Sequence, residues 1–188
     1  MRVGLLCECS GVVREAFRSR GHKAWSCDVL KSEIPSRYHI QGDVRDFDWS
    51  SFDLLIAFPP CTRLCNSGVR WIRERNLWAA LDEAAEFFKW CLNLPNQKVV
   101  VENPIPHKYA LKRIGRKYDQ IVQPWMFGHG EIKRTCFWLK GVSPLRPTNI
   151  VSGRKARVHR ESPGEDRWYR RSRFLEGMAA AMAEQWGS

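Results

Sequence analysis

Apolar runs of strand length that alternate with amphipathic stretches predict an α/β protein with a doubly wound, mostly parallel sheet. Three stretches carry this. RVGLLC (2–7) leads through the small-residue turn ECSG into an amphipathic segment; FDLLIAF (52–58) stops at Pro59 and Pro60; and KVVV (98–101) runs into Glu102, Asn103 and Pro104. In such a sheet the carboxyl ends of the strands form the ligand-binding rim. Ser10, Asp28, Asp43, Cys61 and Glu102 all follow predicted strands and are expected along that edge.

Element by element, residues 2–7 read as the first strand, and Val12, Val13, Ala16 and Phe17 mark one face of a helix ended by Gly21 and His22. The glycine fingerprint of a nucleotide-binding turn is reduced here to Gly11. Lys23 to Cys27 forms a second strand closed by Asp28, an acid placed about 20 residues past the turn where a ribose diol is held in dinucleotide folds. Asp28 serves equally well as a turn cap. YHIQGD (38–43) is a short third strand and residues 52–58 the fourth. Residues 69–93 carry Trp71, Ile72, Leu77, Leu81, Ala84, Phe88 and Leu92 at helical spacing, which predicts one long helix with core-facing aromatics. Pro95 and Asn96 break it before the strand at 98–101. A short basic helix over 107–115, strands near 121–124 and 135–139, a Pro-, Gly- and Arg-rich loop over 141–171 and a closing helix within 172–188 complete the chain. No repeat or second core is visible, so residues 1–188 read as a single domain.

Composition bounds the function. The 188 residues are 44% hydrophobic, enough for a full-sized core. No apolar run approaches the ~20 residues of a membrane span, and MRVGLLCECSG has too short an apolar stretch for a signal peptide, so a cytoplasmic protein is expected. Seven cysteines, an odd number in mostly apolar segments, read as reduced thiols rather than a disulfide frame. The net charge of +11 favours polyanions. Arg154, Lys155, Arg157, Arg160, Arg167, Arg170 and Arg171 cluster around Trp168 and Tyr169, a mixture suited to gripping phosphates and stacking on bases.

Cys61 lies just past a strand end, fixed by two prolines. It is either a small apolar residue under a loop or a positioned nucleophile. A thiol and a carboxyl group facing each other beside a nucleoside cofactor suit one reaction well. The thiolate adds to carbon 6 of a pyrimidine, the carboxyl group steadies the ring nitrogen, and carbon 5 becomes nucleophilic enough to take a methyl group. A zinc deaminase shares a Pro-Cys pair and a His-Gly-Glu, but here their order is reversed and the cysteines of Cys61 and Cys65 are spaced one residue too far apart. No metal is expected.

At these residues the sequence resembles the cytosine-5 DNA methyltransferases, which use S-adenosylmethionine. Pro60, Cys61, Leu64, Ser67 and Gly68 match their nucleophile loop in order, whereas amino-group methyltransferases place Tyr or Phe after the proline pair. Glu102, Asn103 and Pro104 are similar to the family's Glu-Asn-Val motif. The resemblance implies a Rossmann-like S-adenosylmethionine-dependent methyltransferase fold, Cys61 as nucleophile, and Glu102 on the cytosine ring with Asn103 beside it. It implies a cofactor turn over Leu6, Glu8, Ser10 and Gly11, with Asp28 at the ribose, Asp43 at the adenine and Pro59 beside them. DNA, duplex or single-stranded, is the implied partner, and Arg63 and Ser67 are expected among its contacts, along with Arg154, Lys155, Arg157, Arg170 and Arg171. The family's paired arginines fall on Lys133 and Thr135 in an ungapped match, with Arg134 offset by one. Only residues 141–171 stand where the family has a long recognition region, which implies short or loose sequence selectivity. The last helix, GMAAAMAEQWG, is similar to the family's last motif, although the Asn usual before it is missing. Two alternatives stay open: the same chemistry on RNA or a free cytosine nucleotide, and an inactive nucleic-acid-binding relative.

Overall fold

The computed structural model describes residues 1–157, Gly164 and 174–188. Arg160, Arg167, Trp168, Tyr169, Arg170 and Arg171 therefore lie outside the described residues. In chain order the elements are β1 (Arg2–Leu6), α1 (Val12–Ser19), β2 (Lys23–Asp28), β3 (His39–Gln41), β4 (Leu54–Ala57), α2 (Val69–Glu74), α3 (Trp78–Leu92), β5 (Lys98–Pro104), α4 (Lys108–Ile114), β6 (Gln120–Val122), β7 (Thr135–Lys140) and α5 (Glu176–Gln185).

The strands form one sheet in the order β3-β2-β1-β4-β5-β7-β6. β1 to β5 are parallel, and β7 runs antiparallel between β5 and β6. Both faces of the sheet are covered, so the central strands are apolar at successive positions rather than alternating with polar ones. Leu55, Ala57, Val99 and Val101 face Leu81, Ala85 and Phe88 of α3. Leu54, Ile56 and Val100 face Val13 and Phe17 of α1 and Met178 and Met182 of α5. Strand order reverses between β1 and β4, where the crevice at the carboxyl ends of an open α/β sheet takes ligands. The turn after β1, Asp28 at the end of β2, Asp43 after β3, and the Pro59-Pro60-Cys61 turn after β4 all lie on this rim.

The expected long helix over 69–93 is two helices. Asn76 takes a left-handed φ of 49°, and its N–H donates to Arg73 O while that of Leu77 donates to Ile72 O. These are the paired bonds of a helix stop with Asn in the position glycine usually fills. The break also leaves Trp71 and Trp78 half-buried rather than in the core. Strict alternation of strands and helices fails as well: residues 29–38 and 42–53 connect strands without an α-helix, the second through the 3-10 turn Val44–Asp46 alone. The third strand shortens to three residues, and Pro124 opens a 3-10 turn instead of ending a strand. Among the described residues no helix is long and apolar enough to cross a membrane.

Candidate active site

The rim is held together where the segment after β4 meets the end of β5. Pro59 lacks an N–H to continue the ladder, so the last strand-like bond is Phe58 N–H to Leu6 O at 2.9 Å. Beyond it Leu64 N–H and Cys65 N–H both donate to Cys61 O at 3.0 Å, which winds Cys61–Cys65 into one helical turn. Four hydrogen bonds then fasten this turn to 103–107. Asn103 Nδ2 donates to Pro59 O at 2.9 Å, and Asn66 N–H donates to Ile105 O at 3.1 Å. His107 N–H donates to Leu64 O at 2.9 Å. The His107 ring completes the set: Nδ1 accepts from Ala110 N–H at 3.0 Å, which leaves Nε2 to carry the proton donated to Arg63 O at 2.8 Å. His107 thus caps α4 and straps the cysteine loop at once. Its sequence signal was faint, because His is not among the favoured capping residues.

Within this frame Cys61, Cys65, Glu102 and Lys133 form one electrostatic cluster. The Cys61 thiol is half-buried and pushed up, first by donating to the Cys65 sulfur, then by burial and by the nearby Glu102 carboxylate, against the pull of Lys133. Cys65 is held down by that hydrogen bond and by Ser67, whose Oγ is 3.0 Å from its sulfur, with help from the N–H groups of Ser67 and Gly68. Cys65 itself is buried, with its sulfur against the Ser67 hydroxyl. Residue Glu102 keeps some solvent-facing surface, but its carboxyl group is enclosed and burial pushes it up to about 7, with Lys133 as the opposing influence. Of the basic pair before β7, Lys133 faces Glu102 and Cys61, whereas Arg134 is exposed. Sequence alignment alone left that choice open. Asn103 is 1% exposed; its Oδ1 has no hydrogen-bond partner among the described residues, so its visible role is the strap to Pro59.

The first rim turn is internally bonded. Cys7 leaves β1 with a φ of 57° and Gly11 enters α1 with a φ of 77°, a conformation that suits Gly and strains most side chains. Ser10 Oγ donates to Glu8 Oε1 at 2.5 Å and accepts from Val12 N–H at 3.2 Å. Glu8 is 4% exposed, its other oxygen has no hydrogen-bond partner among the described residues, and burial raises its pKa. Beneath the turn the fully buried Arg14 reaches Ser26 Oγ, Ser32 Oγ and Ile34 O. Asp28 Oδ1 accepts from Leu30 N–H at 2.9 Å, so it does cap a turn, and burial raises its pKa. Asp43 caps the 3-10 turn Val44–Asp46, and both its oxygens receive Arg45, which lowers it to about 2. Leu6 is a fully buried core side chain, and Pro59 is buried with its carbonyl engaged by Asn103.

The basic residues expected on nucleic acid fall into three groups. Arg154 stacks on Trp125 at 4.2 Å, Lys155 exchanges backbone bonds with Gly130 and Ile132, and Arg157 pairs with Glu131, so this arm is laced to the loop that carries Lys133. Arg63 is half-buried, and Ser67 is exposed with its hydroxyl on Cys65. Arg170 and Arg171 lie outside the described residues.

No protein-family model matches the chain, and no curated protein matches it. Among solved structures, the methyltransferase EhMeth of Entamoeba histolytica superposes with a TM-score of 0.50 at 14% identity, covering 87% of this chain and 60% of that one. A triple mutant of DNMT2 from Spodoptera frugiperda gives a TM-score of 0.41 at 13% identity, covering 83% of this chain and 54% of that one. With its strand order and rim, the likeness to EhMeth defines the fold as Rossmann-like of the methyltransferase type. The chain spans about 60% of the length of EhMeth.

Proposed function

We propose that the protein is a member of the cytosine-5 methyltransferase family that uses S-adenosylmethionine to methylate carbon 5 of cytosine in DNA. The observation that carries this reading is the fastening of the Cys61 turn to 103–107, with Glu102 and Lys133 beside the thiol. A structural cysteine has no need of an enclosed carboxyl group and an ammonium next to it.

The rim fits the cofactor in part. Glu8 offers a buried oxygen without a partner among the described residues, suited to an ammonium group, and Asp28, at the end of β2, would hold a diol. Asp43 could meet an adenine amino group only as Arg45 gives way, since Arg45 occupies both its oxygens. When bound, S-adenosylmethionine supplies an electrophilic methyl group. Cys61 forms a bond from sulfur to carbon 6 of the ring as its thiol proton is released to solvent, with Lys133 beside the sulfur favouring the thiolate. Glu102, protonated near neutral pH, donates to ring nitrogen 3, and Lys133 is placed to steady the charge that develops there. After carbon 5 is methylated, loss of its proton and expulsion of the thiolate restore the ring. A base in a duplex has to be lifted out of the stack to reach this position.

The test is nucleoside mass spectrometry of DNA from cells expressing the wild type or Cys61→Ala, with a trapping assay on DNA carrying 5-fluorocytosine, which retains the thiol bond. 5-Methylcytosine and a covalent adduct with the wild type alone are expected. Turnover by Cys61→Ala at the wild-type rate overturns the mechanism. Modified RNA or dCMP in place of DNA moves the substrate while keeping the chemistry, and tight DNA binding without adduct or cofactor binding marks an inactive binder.

A further inference from the structure

α2 and α4 begin at the two ends of the hydrogen-bonded frame around Cys61. Gly68 leads directly into Val69, and His107, whose ring holds Arg63 O, caps Lys108–Ile114. Their outer faces carry aromatic rings covered by cations. The guanidinium carbons of Arg70 and Arg75 lie 4.1 and 4.3 Å from the Trp71 ring centroid. Arg73 and Lys108 lie 5.3 and 5.2 Å from the centroid of Tyr109, and Arg73 also donates to its hydroxyl. Tyr109 meets Trp78 edge-on at 5.3 Å, which ties the α4 face to the start of α3.

Among the described residues, the cations of this face have no ion-pair partner apart from that of Arg113. Arg113 pairs with Asp82, but no ion pair joins Arg70, Arg73, Arg75 or Lys108 to a described acid. Glu74 is the sole acid within α2, α4 has none, and all four cations are exposed. A guanidinium stacked on a ring loses rotamer freedom before any ligand arrives and keeps its planar N–H donors for an anion, the arrangement that recognises phosphate. With cations already over Trp71 and Tyr109, the face addresses phosphates rather than bases.

We infer that α2 and α4 form a phosphate-gripping face for the nucleic-acid strand that delivers its base to Cys61, with Arg70, Arg73, Arg75 and Lys108 as the contacts. This rests on the nucleic-acid substrate proposed above. It places a second handhold beside the cysteine turn, built from different elements than the 154–157 arm.

The test is fluorescence anisotropy of labelled single-stranded and duplex oligonucleotides, titrated with the full chain from about 50 to 200 mM salt. Arg70→Gln/Arg75→Gln removes two contacts, so the slope of log K against log salt should flatten by about 1.4 on single strands and about 1.8 on duplex. Lys23→Ala/Arg20→Ala, at the opposite end of the parallel strands, should leave the slope unchanged. Circular dichroism melts show whether each variant is folded, and Lys108→Ala repeats the test from α4. A wild-type slope in the folded Arg70/Arg75 variant overturns the inference, as does an equal flattening in the Lys23/Arg20 variant. Competition by polyglutamate as effective as that by unlabelled oligonucleotide overturns the assignment to nucleic acid. A wild type that binds no oligonucleotide fails at the earlier step, the substrate class itself.

Discussion

Glu102 shows how one buried side chain couples stability to the proposed chemistry. Its carboxyl group is raised from 4.5 to about 7 in the folded protein, chiefly by burial. Between those values the folded state binds more protons than the unfolded state, so stability falls as pH rises through that window and levels off above it. The effect is at most about 3 kcal/mol. Glu102→Gln keeps the shape and removes the titration. In urea denaturation at a series of pH values, the wild type should lose stability relative to Glu102→Gln from pH ~4.5 to ~7. A constant difference would show that the carboxyl group does not titrate as its enclosure implies. The same protonated form is the one able to donate to a ring nitrogen, so wild-type methyl transfer should decline above neutrality.

At the scale of elements, His107 unites two functions that a sequence does not display together. His107→Ala removes the cap of α4 and leaves Arg63 O and Ala110 N–H without the ring. The expected cost is about 2 kcal/mol by denaturant unfolding, with a larger fall in methyl transfer than in oligonucleotide affinity because the Cys61 turn loosens. Equal falls in both would mean that the strap does not position the thiol. Local signals were legible where the chemistry is local: Pro59 and Pro60 end β4, and the β-branched run at 98–101 announces β5. Asn76 was not, since Asn is tolerated inside helices and its left-handed turn is closed by bonds to Arg73 and Ile72. Nor was the inward turn of Lys133. A basic pair says nothing of which side chain turns inward until β5 and β7 are paired, with Glu102 opposite Phe137.

On the scale of the whole molecule, α5 links the far end of the chain to the rim. It packs on α1, and Trp186 Nε1 donates to Ser143 O at 2.8 Å. Its leading end reaches the site: Phe174 meets Phe58 at 5.4 Å, and Gly177 N–H donates to His129 Nε2 at 2.9 Å. The loop from Phe127 to Arg134 that receives this bond also carries Lys133. A Cβ at Gly177 would stand 2.0 Å from Phe127 O and 2.9 Å from His129 Nε2, so the close approach depends on glycine. Gly177→Ala must push the helix from the loop or move the loop itself. Such overpacking costs about 1–3 kcal/mol, and the melting temperature should fall by several degrees. Because the displaced loop holds Lys133 near Glu102 and Cys61, methyl transfer should fall further than the stability loss alone explains, while contacts of the α2–α4 face with oligonucleotides persist. Thermal melts paired with single-turnover methyl transfer and the salt slope of binding separate these effects. Full activity in a variant that melts lower would show that α5 stabilises the fold without positioning the site.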